Sequence, residues 1–128
     1  MKIGFTGTRK GMTAIQFDKI KELIDKLDVS EVNLGDCVGA DDQMFSLCYS
    51  RGIKTIGHPP IDDKLRAFCR YDEEKEPKYF THRNKAIVDN SDLIIATPKG
   101  FESVRSGTWQ TIRYARRVDK KVLVVMPK

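Results

Sequence analysis

The chain has 128 residues, enough for one domain (1–128) around a single core, and its 40% hydrophobic and 32% charged content excludes a disordered or membrane-embedded chain. With 23 Lys and Arg against 18 Asp and Glu, the formal net charge of +5 is compatible with a phosphate-bearing partner and equally with an ordinary solvated surface. No apolar run approaches the ~20 residues of a membrane helix, there is no signal-peptide pattern at the start, and Cys37, Cys48 and Cys69 lack metal-ligand spacing. The expectation is a cytoplasmic protein with reduced thiols, no metal site, no resident cofactor and no membrane partner.

Lys2 to Thr6 is a short apolar run that predicts a first strand, ending in the small-residue loop Thr6-Gly7-Thr8-Arg9. Thr13 then opens an amphipathic helix, with Ile15, Phe17, Ile20, Leu23, Ile24 and Leu27 on one stripe. Glu31 to Leu34 predicts a second strand, followed by the loop Gly35-Asp36-Cys37-Val38-Gly39-Ala40-Asp41 and a helix from Ala40 to Ser50 closed near Gly52. Ile53 to Gly57 predicts a third strand, cut off by Pro59-Pro60. From Ile61 to Pro77 the pattern is polar and aperiodic, an excursion with one helical turn around Leu65 to Phe68. A helix from about Tyr79 to Asp89, a strand Leu93 to Thr97, a helix opened by Ser106 to Thr108 and running to Val118, and a strand Val122 to Met126 complete the chain.

Strands that are continuous apolar runs, alternating with helices, predict an α/β, doubly wound, Rossmann-like domain. Its expected core is a five-stranded parallel sheet in the order 3-2-1-4-5, with helices on both faces. In that order the winding reverses between strands 1 and 4, and ligands of such sheets bind at the carboxyl ends beside the reversal. The loops after Thr6 and Pro98 then face one crevice, with the Gly35 loop beside them.

The run RSGTWQTIRYA, Arg105 to Ala115, carries the clearest chemical signal. Small residues at Ser106, Gly107 and Thr108 let a ligand approach the backbone, and a helix start behind them offers free N–H groups to an anion, most often a phosphate. Arg9 is placed to clamp the same phosphate. Gly7, Thr8, Gly35, Ala40 and Pro98 belong to the loops that frame the crevice, and Gly39 and Gly107 serve either turn geometry or close ligand approach. Asp41 and Asp42 either hydrogen-bond a ribose hydroxyl or compensate a helix dipole. Arg83 and Asn84, on a helix start facing the crevice, are functional candidates, whereas His82 reads as an exposed or satisfied histidine. Trp109 either stacks on a base or plugs the core end of its helix. Cys37 sits where a helix N-terminus lowers a thiol pKa, but no histidine lies near it in sequence to make it a nucleophile. The late basic residues Arg113, Arg116, Arg117, Lys120 and Lys121 read as a solvated helix face.

Four segments, IGFTGTR (Ile3–Arg9), GDCVGADDQMFSLCYSRGIKTI (Gly35–Ile56), HRNKAIVDNSDLIIATP (His82–Pro98) and RSGTWQTIRYARRVDKKVLVVMP (Arg105–Pro127), occur in this order. Together they resemble the SLOG-type Rossmann-like superfamily, which contains the bacterial DNA-processing protein A and the cytokinin-activating Lonely Guy phosphoribohydrolases. Those hydrolases carry a PGGxGTxxE signature whose glutamate helps cleave an N-glycosidic bond. Here the glutamate position falls on Thr111, so the resemblance implies the pocket without the base. The Arg83-Asn84 pair and the SGTWxT segment look more like the DNA-processing protein, which implies single-stranded DNA binding, although its flanking domains have no room here. The resemblance also implies a homodimer. The expected function is binding of a nucleotide or nucleotide-derived small molecule, as sensor or carrier. The alternatives are an N-glycosidase of nucleoside monophosphates, with Asp41, Asp42 or Glu102 replacing the glutamate, and a single-stranded nucleic-acid binder.

Overall fold

In the computed structural model, which describes residues Met1–Lys128, six strands pair in parallel as one sheet in the order β4-β3-β2-β1-β5-β6. In chain order the elements are β1 (Lys2–Gly7), α1 (Ala14–Lys26), β2 (Glu31–Leu34), α2 (Ala40–Arg51), β3 (Lys54–Gly57), β4 (Glu73–Glu74), α3 (Phe80–Asp89), β5 (Leu93–Thr97), α4 (Gly107–Arg117) and β6 (Lys121–Val124). The five predicted strands are β1, β2, β3, β5 and β6, and they keep the predicted neighbours. The correction is a sixth, two-residue strand at the edge. β4 has no apolar run to announce it; it is held by pairing with Ile56 and Gly57 and by Asp72, whose Oδ2 accepts the Thr55 N–H at 2.8 Å.

Residues of β5 are buried on both faces, which is why that strand reads as an unbroken apolar run. Leu93 and Ile95 join Ile3, Phe5, Val32 and Leu34 under α1 and α2, whose Ile20, Ile24, Met44 and Leu47 close that core. Ile94 and Ala96 face the other way, toward Val88 of α3 and Trp109, Ile112 and Ala115 of α4. The helices thus cover both faces, as the doubly wound pattern requires.

Two local readings are corrected. Ile15 is 58% exposed, whereas its neighbour Gln16 is buried. Gln16 completes a capping box with Thr13 and donates from Nε2 to the carbonyls of Pro98 (2.8 Å) and Val125 (2.9 Å), tying α1 to the ends of β5 and β6. A helical stripe counted from apolar residues alone misses a buried amide that is fully bonded. The Ile61–Pro77 excursion contains no helical turn; it is an extended strap with a turn at Lys64 and Leu65. Its anchor is the buried Asp36, which accepts from Arg66 Nε (2.6 Å), the Tyr71 hydroxyl (2.7 Å) and the Cys69 N–H (3.2 Å).

The entry to α2 is held against the β1 loop by backbone. The Ala40 N–H donates to the Thr8 carbonyl at 3.0 Å, and Gly39 has φ +91°, where a Cβ would lie 2.3 Å from the Arg9 carbonyl oxygen. Gly39→Ala combines left-handed strain with a backbone collision and should lower unfolding stability by about 2 kcal/mol or more in urea denaturation. A loss below ~0.5 kcal/mol would contradict this packing.

Candidate functional site

A cleft of about 1020 Å³ opens at the carboxyl edge of the sheet, between the ends of β1 and β5. The β1 loop is fixed on one side by β5, through Thr8 N–H to the Thr97 carbonyl at 3.0 Å, and on the other by the first turn of α2. Gly7 has no space for a side chain: a Cβ there would lie 2.3 Å from Thr97 Oγ1 and 2.5 Å from the Ala40 methyl. The switch-point loops are therefore interlocked before any ligand arrives.

The β5–α4 loop supplies the second wall. Ser106 caps α4 by accepting the Trp109 N–H at 3.2 Å, which leaves the N–H groups of Gly107 and Thr108 without a protein acceptor. A Cβ at Gly107 would meet nothing within 4 Å, so that glycine borders open space on the cleft. Trp109 plugs the core end of its helix, packing with Ala96 and Ile112, and it also borders the cleft, while its Nε1 donates to the Gly100 carbonyl at 3.0 Å.

Arg9, Lys10, Lys99 and Arg105 line the cleft, are exposed, and enter no ion pair. Lys10 lies close enough to Lys99 for its charge to lower the Lys99 pKa. Two adjacent ammonium groups with no carboxylate between them form a locus of uncompensated positive charge.

The cleft floor is built from Arg83 and Asp41. Arg83 is buried; its Nη1 donates to the Gly35 carbonyl and to that of His58 (3.3 Å), and its Nε to Asn84 Oδ1 at 2.8 Å. Only Nη2 is left without an acceptor, so most of this guanidinium is structural. Burial lowers the Arg83 pKa, and Asp41 opposes that shift. Asp41 Oδ2 accepts the Cys37 N–H at 3.1 Å, while its buried Oδ1 has no partner. Burial pushes the Asp41 carboxyl up to about 6, against the pull of Arg83. His58, held at about 4 mainly by burial, stays neutral with Nε2 2.8 Å from Asn33 Oδ1.

Of the residues singled out from sequence, Gly7, Thr8, Arg9, Gly35, Asp41, Arg83, Asn84, Arg105, Ser106, Gly107 and Thr108 are brought together around the cleft. Gly39, Ala40 and Pro98 do not line it. The first two are spent on the β1 loop contact, and the Pro98 carbonyl is taken by Gln16. Cys37 lines it, but burial raises its thiol pKa, as does the Asp41 charge beside it, opposite to the lowering that a helix N-terminus suggested. Thr111 is buried and donates to the Gly107 carbonyl at 3.0 Å, so a side chain there faces its own helix and not the cleft. Glu102 pairs with Arg113 at 3.0 Å, and Asp42 lies outside the cleft, leaving Asp41 as its one carboxylate. Lys10, Lys99 and the 90% exposed Phe101 were missed. The first two adjoin residues already chosen, Arg9 and Pro98, and extending each loop by one residue would have found them.

No protein-family model and no curated protein matches the sequence. Two solved structures resemble the fold. The molybdenum cofactor binding protein from the phototrophic bacterium Rippkaea orientalis superposes with a TM-score of 0.75 at 19% identity, over 99% of this chain and 77% of that one. The X-ray structure of TM1055 superposes with a TM-score of 0.63 at 18% identity, over 94% of this chain and 71% of that one. At these identities the likeness establishes the parallel α/β architecture.

The Asp41 carboxyl has a measurable signature. Its folded pKa lies above its unfolded one, so between about pH 4 and 6 the folded state holds the extra proton and stability falls as pH rises; above about 6 the destabilisation is complete. Asp41→Asn removes it. The variant should be about 2–3 kcal/mol more stable than the parent at pH 8, with the two converging near pH 4. Equal stability at pH 8 would contradict a desolvated carboxylate there.

Proposed function

We propose that the protein binds a phosphorylated, nucleotide-like small molecule in this cleft and acts as a sensor or carrier of it. The observation that carries this reading is the set of four cations without ion-pair partners, Arg9, Lys10, Lys99 and Arg105, lining the same cleft as the unbonded N–H groups of Gly107 and Thr108. A phosphate placed there takes hydrogen bonds from fixed backbone donors, meets the positive end of α4, and relieves the repulsion between Lys10 and Lys99. The remaining lining suits a planar ring system: Phe80, Phe101 and the rim of Trp109 supply an apolar and aromatic wall. One of the structures that share the fold is a molybdenum cofactor binding protein, which sets a cofactor-sized ligand beside a free nucleotide as a candidate.

Binding without hydrolysis fits the carboxylates. Cleavage of an N-glycosidic bond needs a group that activates water and stabilises an oxocarbenium-like transition state; Thr111, Asp42 and the paired Glu102 lie outside the cleft, and Asp41, the one carboxylate within it, is buried in the floor with Oδ2 held by the Cys37 N–H. The late basic residues Arg113, Arg116, Arg117, Lys120 and Lys121 lie outside the cleft, so they do not extend it into a track for a nucleic-acid strand.

Calorimetric titration with nucleoside monophosphates tests the reading. Arg9→Ala and Arg105→Ala should each weaken a phosphorylated ligand by ~1.5–3 kcal/mol, the worth of a hydrogen bond to a charged group. Unchanged affinity in both variants would contradict it. Free base should not appear on prolonged incubation; release at ~1 per second or faster would establish an enzyme instead.

A further inference from the structure

On the cleft floor the fold leaves two groups without partners, the donor Arg83 Nη2 and the acceptor Asp41 Oδ1. Asp41 Oδ2 is fixed by the Cys37 N–H at 3.1 Å, and Oδ1, on a side chain 6% exposed, has no partner. A buried acceptor without a donor is costly, and in native structures it usually marks a ligand or water position. Asp41 stands in the first turn of α2, and that turn is locked to the β1 loop by Ala40 N–H to the Thr8 carbonyl. Asp41 is therefore adjacent to the loop that carries Arg9. In a nucleotide the group joined to the phosphate is the sugar, so the part of the ligand next to a phosphate held by that loop is a hydroxyl-bearing ring.

The charge of the surroundings restricts the donor. Arg83 faces Asp41, and Arg9, Lys10, Lys99 and Arg105 ring the cleft, so a cationic donor is repelled and a neutral one is favoured. In dinucleotide-binding sheets a carboxylate near the end of the second strand takes the ribose hydroxyl. The residue at that place here, Asp36, is fully engaged by Arg66, Tyr71 and Cys69. Asp41 is the carboxylate that remains.

Resting on the phosphate reading above, we propose that Asp41 Oδ1 accepts a hydrogen bond from a sugar hydroxyl of the bound ligand and so selects ribosyl over deoxyribosyl phosphates. The test is titration of the whole chain with AMP, 2′-deoxy-AMP, 3′-deoxy-AMP and inorganic phosphate. The parent should bind AMP at least ~10-fold more tightly than one of the two deoxy compounds, the scale of one charge-assisted hydrogen bond. In Asp41→Ala that ratio should fall below about threefold; Asp41→Asn, which retains an acceptor for Cys37, should lower it too and serves if the alanine variant does not fold. Equal binding of AMP and both deoxy compounds by the parent, or a ratio unchanged in both variants, overturns the assignment while leaving phosphate binding intact. If neither inorganic phosphate nor any of the three nucleotides binds, the phosphate reading fails and this assignment fails with it.

Discussion

Everything at the cleft depends on β1 being paired in parallel on both sides. It meets β2 from Lys2 to Gly4 and β5 from Ile3 to Gly7, so the chain leaves β1 and β5 at the same edge while the two halves of the sheet wind in opposite directions. Between oppositely wound halves no helix can cover the edge, and a crevice results. The extra pairing of Gly7 with Thr97 carries β1 further along β5 than along β2, which draws the β1 loop tight against the loop before α4.

That constraint explains a division of labour among small residues. Gly7 and Gly39 are small because protein atoms press on them from within, and Gly107 borders empty space. The first two make the site rigid; the third makes it accessible. Rigid donors matter because an anion bound by preset backbone N–H groups needs no reorganisation of the site, and each ordered side chain spared reduces the entropic cost of binding. The strap from Ile61 to Pro77 acts in the same sense. By engaging Asp36 it holds the β2 loop from the side of β3, and that loop carries Gly35 and Cys37, the neighbours of Asp41 and Arg83.

The elements were legible wherever local chemistry decides them. Thr13 and Gln16 cap α1, Ser106 caps α4, Gly52 closes α2 in a left-handed conformation, and the apolar runs of β1, β2 and β5 are buried as continuous runs must be. What stayed illegible is decided at long range. Nothing near Asp36 in sequence announces that residues thirty and more positions later will bind it, so the strap read as an irregular excursion. The apolar stripe of α1 does not include Gln16, which is buried by partners, Pro98 and Val125, far along the chain. At the site, loop chemistry gave the correct wall residues, but not how far each is already committed. Arg83 read as a functional candidate facing the crevice, and three of its hydrogen bonds go to protein. Thr111, where the resembled phosphoribohydrolases carry a glutamate, is buried and donates to the Gly107 carbonyl of its own helix.

The central claim is that the open start of α4 and the β1 loop receive one phosphate between them. Titration of the ¹⁵N-labelled protein with inorganic phosphate, followed residue by residue through amide shifts, tests it most directly. The account predicts that the Gly107 and Thr108 amides move first and farthest, that Thr8, Arg9 and Lys10 follow the same saturation curve, and that the strap does not respond. Saturable shifts centred anywhere else, or none at Gly107 and Thr108 at saturating phosphate, would contradict it.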